Sequence, residues 1–95
     1  MTTLILPLKR EYFDQIKAGT KLEEYRLCTE FWKRRLEGKS FDTITLMLGY
    51  PASTNDARRM VKPFLGWQIK QITHPHFGEK PVTVYAIDVT GANRE

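Results

Sequence analysis

In the first half of this chain two helical stretches flank one short strand-like segment, and only strand-like segments follow. That order rules out the regular strand and helix alternation of a doubly wound fold. Thr3 to Leu8 is β-branched and aliphatic with Pro7 near its end, which fits a first strand at a sheet edge, where a missing amide costs little. Lys9 to Ala18 places Tyr12, Phe13 and Ile16 at helical spacing, and Gly19 stands where a left-handed C-terminal cap is wanted. Thr29 followed by Glu30 opens a second helix to about Glu37, with Phe31, Trp32 and Leu36 inward and Gly38 as its stop. Phe41 to Leu48 alternates as a strand into the turn residues Gly49, Tyr50 and Pro51, and Pro51 to Arg58 reads as polar loop. Met60 to Thr73, interrupted by Pro63 and Gly66, reads as one bent or bulged strand whose core is Leu65 to Ile72. Thr73 to Lys80 is a loop rich in His, Pro and Gly, and Pro81 to Val89 alternates as a final strand before a polar tail. The expected fold class is α+β, a small curved sheet or partly closed barrel of about five strands with two or three short helices. At 95 residues the chain makes one domain with one core.

Composition narrows the function classes. With 41% hydrophobic residues the chain reads as globular, and its apolar runs fall far short of the roughly 20 residues of a membrane span, so no membrane partner is expected. The N-terminal residues lack a basic region followed by an apolar segment, and the lone Cys28 cannot form an internal disulfide. A reducing, cytoplasmic setting is the simplest expectation. Fifteen Lys and Arg against eleven Asp and Glu give a net charge of +4, an excess compatible with a polyanionic partner. No cofactor is expected, and nothing in the composition sets the oligomeric state.

The densest chemistry lies in Gly19, Thr20, Lys21, Leu22, Glu23, Glu24, Tyr25 and Arg26. On an extended stretch Lys21, Glu23 and Tyr25 face one way, and Leu22, Glu24 and Arg26 the other. A carboxylate two residues from a guanidinium on one strand face makes either a rigid ion pair or half of a polar pocket. Gly19, Lys21, Glu24 and Arg26 match the G-x-K-x-x-E-x-R signature of ASCH domains, members of the PUA-like β-barrel superfamily. The similarity extends to the Tyr12, Phe13 and Ile16 helix, to Phe64, Leu65, Gly66 and Trp67, and to the closing strand from Val82 to Ile87. The chain as a whole, residues 1–95, thus resembles a single ASCH domain. The resemblance implies a small barrel with helices over its openings and a motif-lined cleft that takes RNA or a modified nucleoside. One branch of such proteins hydrolyses the acetamide of 4-acetylcytidine with the motif lysine and a threonine three positions later; that position here holds Glu24, which cannot replace a hydroxyl that forms an acyl ester. Others are associated with RNA cleavage or RNA binding.

A lysine in a partly desolvated cleft serves as a base or proton shuttle, or as the cation that holds a phosphate or polarises a carbonyl. Lys21 is the first candidate for these roles and Glu24 for the proton carrier, with Arg26 contacting the ligand and Tyr25 or Trp67 stacking a splayed base. Glu23 is a secondary candidate. Lys33, Arg34 and Arg35, with Lys39 nearby, read as the wet face of a helix that can also track phosphates, as can Arg58, Arg59 and Lys62. Trp32 reads as core. His74 and His76 invite a zinc reading, but no adjacent Cys or carboxylate completes a ligand set, so no metal is expected. Cys28, just before the second helix, has a helix N-terminus to lower its pKa but no neighbouring histidine; a small packed thiol is the default.

Overall fold

The computed structural model describes residues 2–49 and 58–91. Expectations for the Tyr50 and Pro51 turn, for the loop up to Ala57 and for the last four residues lie outside that range. Strand β1 (Thr3–Leu8) leads into helix α1 (Arg10–Ala18), strand β2 (Glu23–Leu27), helix α2 (Glu30–Leu36) and strand β3 (Thr43–Leu48). After the undescribed loop come β4 (Arg59–Pro63), β5 (Trp67–Ile72), a 3-10 turn (Pro75–Phe77) and β6 (Val82–Asp88). The class is α+β, but the described strands number six and form two three-stranded sheets rather than one sheet of about five. The first sheet has the order β1-β3-β4, with β1 parallel to β3 and β4 antiparallel to it. The second has the order β2-β6-β5 and is antiparallel throughout. No closed barrel forms among the described residues.

The expected long strand from Met60 to Thr73 is instead two strands in different sheets. Pro63 has no amide to continue the β4 ladder, and Gly66 takes φ +98, a conformation that a side chain disfavours. Between them Phe64 donates its N–H to Asp42 O, and Gly66 O accepts from Asp88 N–H at 3.0 Å, so the chain leaves one sheet and joins the other within three residues. Pro7 behaves as its missing amide predicts, since β1 is an edge strand.

One apolar cluster holds both sheets. Leu4, Leu6 and Leu8 of β1, Ile44 and Leu46 of β3 and Met60 of β4 meet Tyr85, Ile87 and Val89 from the β6 side, and Phe13, Ile16 and Leu36 of the helices complete it. The alternation of buried residues along β1 is what a strand with one core face requires. Phe31 departs from expectation: it is 54% exposed, and of α2 only Leu36 is fully buried. Lys62 departs too. It pairs with Ile44 across the β3–β4 ladder, which turns it towards the core, where its ammonium donates to Val89 O at 3.0 Å and burial lowers its pKa. It is therefore not a phosphate-tracking cation.

Tyr85 carries a titratable contact that ties β6 to the end of α2. Its hydroxyl donates to Glu37 Oε2 at 2.7 Å, and that bond, with burial second, pushes the phenol up from 10.0 to about 12. A raised folded-state pKa gives stability that is complete below pH 10 and is lost as the pH rises towards 12. Tyr85→Phe should cost about 1 kcal/mol at neutral pH and should flatten the decline across that alkaline window. Guanidinium titrations at stepped pH check this; equal slopes in both proteins would contradict it.

Candidate functional site

Helix α1 ends on Gly19, whose φ of +81 lets the chain reverse. The N–H groups of Thr20 and Lys21 both bond Gln15 O, at 3.0 and 3.2 Å, and the Thr20 hydroxyl adds a third bond to the same oxygen. Lys21 is thus held by the helix cap and precedes β2 rather than lying on it, which changes the expected facing. Instead of standing with Glu23 on one strand face, its ammonium lies 3.6 Å from Glu24 Oε1. It also lies 4.7 Å from the Tyr25 ring centroid and 5.0 Å from that of Tyr12, within cation–π range of both.

Glu24 and Arg26 share a strand face, as the sequence predicts, and pair with Ile87 and Tyr85 on β6. Glu24 is only 4% exposed, yet each carboxylate oxygen is engaged. Oε2 accepts from Arg26 Nη1 at 2.8 Å, and Oε1 accepts from the Tyr25 amide at 3.3 Å beside the Lys21 ammonium. The guanidinium is fixed further by Nη1 to Tyr25 O at 2.9 Å and Nη2 to Pro7 O at 3.1 Å. The last bond crosses between the edge strands of the two sheets, so a side chain links β1 to β2 where no backbone ladder does. On the opposite face Glu23 accepts from the Tyr25 hydroxyl and from Lys70 at 2.8 Å. That bond raises the Lys70 pKa.

These groups border a cavity of about 320 Å³. The end of β1 contributes Pro7, Leu8 and Lys9, α1 contributes Tyr12, the motif contributes Lys21 and Glu24 through Leu27, and the 3-10 turn contributes His74, His76 and Phe77. A second hollow shares Lys21, Tyr25 and His74 with it. The His74 ring stands 5.9 Å from both tyrosine rings, and His76 stands 5.9 Å from Tyr12. His74 Nδ1 accepts from the His76 amide at 3.1 Å, so a neutral His74 carries its proton on Nε2. Desolvation, reinforced by Glu11 and Glu24 at Tyr12 and by Glu23 at Tyr25, raises both phenols and keeps them protonated.

Four of the five candidate residues, Lys21, Glu24, Tyr25 and Arg26, therefore meet at one cavity. Trp67 does not line it; its ring packs edge-on against Tyr85, 5.0 Å between centroids, and against the core. Tyr12, His74 and His76 also line the cavity, although the sequence marks Tyr12 as a helix position on the apolar face and the histidines as part of a loop. The Tyr12 helix position and the histidine loop were visible as features, but their approach to the motif depends on the packing of α1 and of the turn before β6. No group of three His, Cys, Asp or Glu among the described residues is placed to hold a metal. Cys28 is exposed rather than packed, and partial burial of its thiol together with Glu37 raises its pKa instead of lowering it. No helix among the described residues is long and apolar enough to cross a membrane. Comparison of the chain with protein-family models, curated proteins and solved structures finds no match in any of the three.

Proposed function

We propose that this chain is an RNA- or nucleoside-binding domain of the ASCH, PUA-like type, acting in the cytoplasm, with its ligand in the cavity bounded by Lys21, Glu24, Tyr25 and Arg26. The observation that carries the reading is the Lys21 ammonium, held at the cavity wall between two tyrosine rings and a buried carboxylate. Two cations share one carboxylate, which leaves one net positive charge for a phosphate or a base carbonyl. The rings of Tyr12, Tyr25 and His74 border the cavity, and aromatic surroundings suit a planar base. A volume of about 320 Å³ falls at the small end of ligand pockets, which start at ~300 Å³, and admits a nucleoside rather than a folded RNA element. The PUA-like barrel itself is part of this proposal: Arg26 closes the seam between β1 and β2 where a continuous barrel would use backbone bonds.

Binding is favoured over hydrolysis because both Glu24 oxygens are already engaged, so it is poorly free to carry protons. Among the described residues lining the cavity, the hydroxyls are those of Tyr12 and Tyr25, and no serine or threonine offers an acyl acceptor. His74 and His76 support a second reading as a metal-independent ribonuclease, since RNA cleavage wants an acid and a base near a cation.

One experiment separates these readings. The protein and Lys21→Ala are titrated with nucleosides, nucleoside monophosphates and short RNAs, and products are followed by mass spectrometry. Saturable binding that weakens with salt and drops at least about tenfold in Lys21→Ala supports the binding domain. RNA product from the wild type alone supports the ribonuclease. Equal affinities in the two proteins, both folded by circular dichroism, would rule out the cavity as the ligand site.

A further inference from the structure

Resting on the binding reading above, we infer that α2 carries a second ligand surface, which takes the bases and phosphates of a single RNA strand leading out of the cavity. The sequence places Lys33, Arg34 and Arg35 on this helix against the single acid Glu30, and the structure joins Arg35 to the site through aromatic rings. The Arg26 guanidinium, which lines the cavity, sits over the Trp32 ring at 5.3 Å. Trp32 meets Phe31 edge-on at 5.3 Å between centroids. Arg35 caps the run, 4.3 Å over Phe31 and 5.8 Å from Trp32. Two touching rings thus lie between the guanidinium at the cavity wall and the one on α2. Leu27, the next residue after Arg26, also lines the cavity and is 38% exposed.

The chemistry of this run selects the partner. Phe31 is 54% exposed on a helix that buries only Leu36 completely, so it serves the core little. An exposed aromatic beside a guanidinium is the arrangement on which an unpaired base stacks while its phosphate meets a cation. A duplex hides its base faces and gains nothing from Phe31, whereas a single strand offers both groups at every nucleotide. Arg34 is partly neutralised by Glu30 at 3.3 Å, which leaves Arg35 and Lys33 as the principal phosphate contacts. The second basic cluster is not equivalent, because Lys62 is committed to the core.

The test compares nucleoside monophosphates with single-stranded RNAs of about four to six nucleotides, on the wild type, Phe31→Ala, Arg35→Gln and Lys21→Ala. The oligonucleotides should bind the wild type at least about tenfold more tightly than the mononucleotides, one stacked base being sufficient for that factor. Phe31→Ala and Arg35→Gln should each remove most of this gain and leave mononucleotide affinity unchanged. Circular dichroism confirms that each variant is folded, and Phe31, being exposed, is a safe site to truncate. The proposal is overturned if oligonucleotides bind no better than mononucleotides, if Phe31→Ala has no effect on them, or if duplex RNA or an acidic peptide binds α2 as well as a single strand does. Failure of the cavity reading looks different: Lys21→Ala then changes neither ligand class, while the Phe31 effect on oligonucleotides persists.

Discussion

Glu24→Gln should destabilise the protein by about 3 kcal/mol or more, because removing the charge of a buried carboxylate leaves its cationic partners uncompensated. The two partners are themselves largely enclosed, with the Lys21 side chain 10% and the Arg26 side chain 18% exposed. Arg26 retains the Pro7 and Tyr25 carbonyls after the substitution, which places the loss at the lower end of the range for broken buried pairs. For a domain of this size the melting temperature should fall by about 10 to 20 °C. A thermal melt that moves by only a few degrees would show that solvent reaches the cluster and that the pair is a surface contact. The complementary variant replaces all three groups, Lys21→Met, Glu24→Leu and Arg26→Met. Apolar substitution of a whole buried ion cluster is often neutral or stabilising, so this protein should fold and yet bind no ligand. That outcome would mean that the charges are kept for recognition rather than for stability.

Leu46→Ala should cost about 2 to 5 kcal/mol, the range for emptying a fully enclosed leucine site. Leu46 is 0% exposed at the centre of β3, the middle strand of one sheet, and Ile87 is 0% exposed on β6, the middle strand of the other. Both belong to one cluster, so the loss should lower a single cooperative transition for the whole protein. Chemical denaturation followed at once by far-ultraviolet circular dichroism and tryptophan fluorescence measures this. Trp32 and Trp67 both pack against the cluster and report on it. Two separated transitions would mean that the sheets have independent cores.

The first sheet's edge strand, both helices and the final strand were legible because short-range rules decide them. Pro7 demands an edge, Gly19 demands a left-handed turn and Thr29 caps α2 by accepting the Trp32 amide. The shared face of Glu24 and Arg26 follows in the same way from the two-residue repeat of a strand. The run from Met60 to Thr73 is not legible as two strands, because Pro63 and Gly66 mark a break without saying where each half goes. A bulge and a change of sheet leave similar local traces, and only competition for partners at β3 and β6 separates them.

Local residue order was enough for the two helices, for the strands Thr3–Leu8 and Val82–Asp88, and for the shared face of Glu24 and Arg26, since each depends on residues within a few positions of one another. Only packing between elements brings Tyr12, His74 and His76 to the motif, turns Lys62 inward, commits Trp67 to the core and lets Arg26 reach both Pro7 and Trp32. Those contacts join different elements of the fold, most of them far apart along the chain. They are selected by the burial of one shared apolar cluster, a quantity that no local stretch of residues contains.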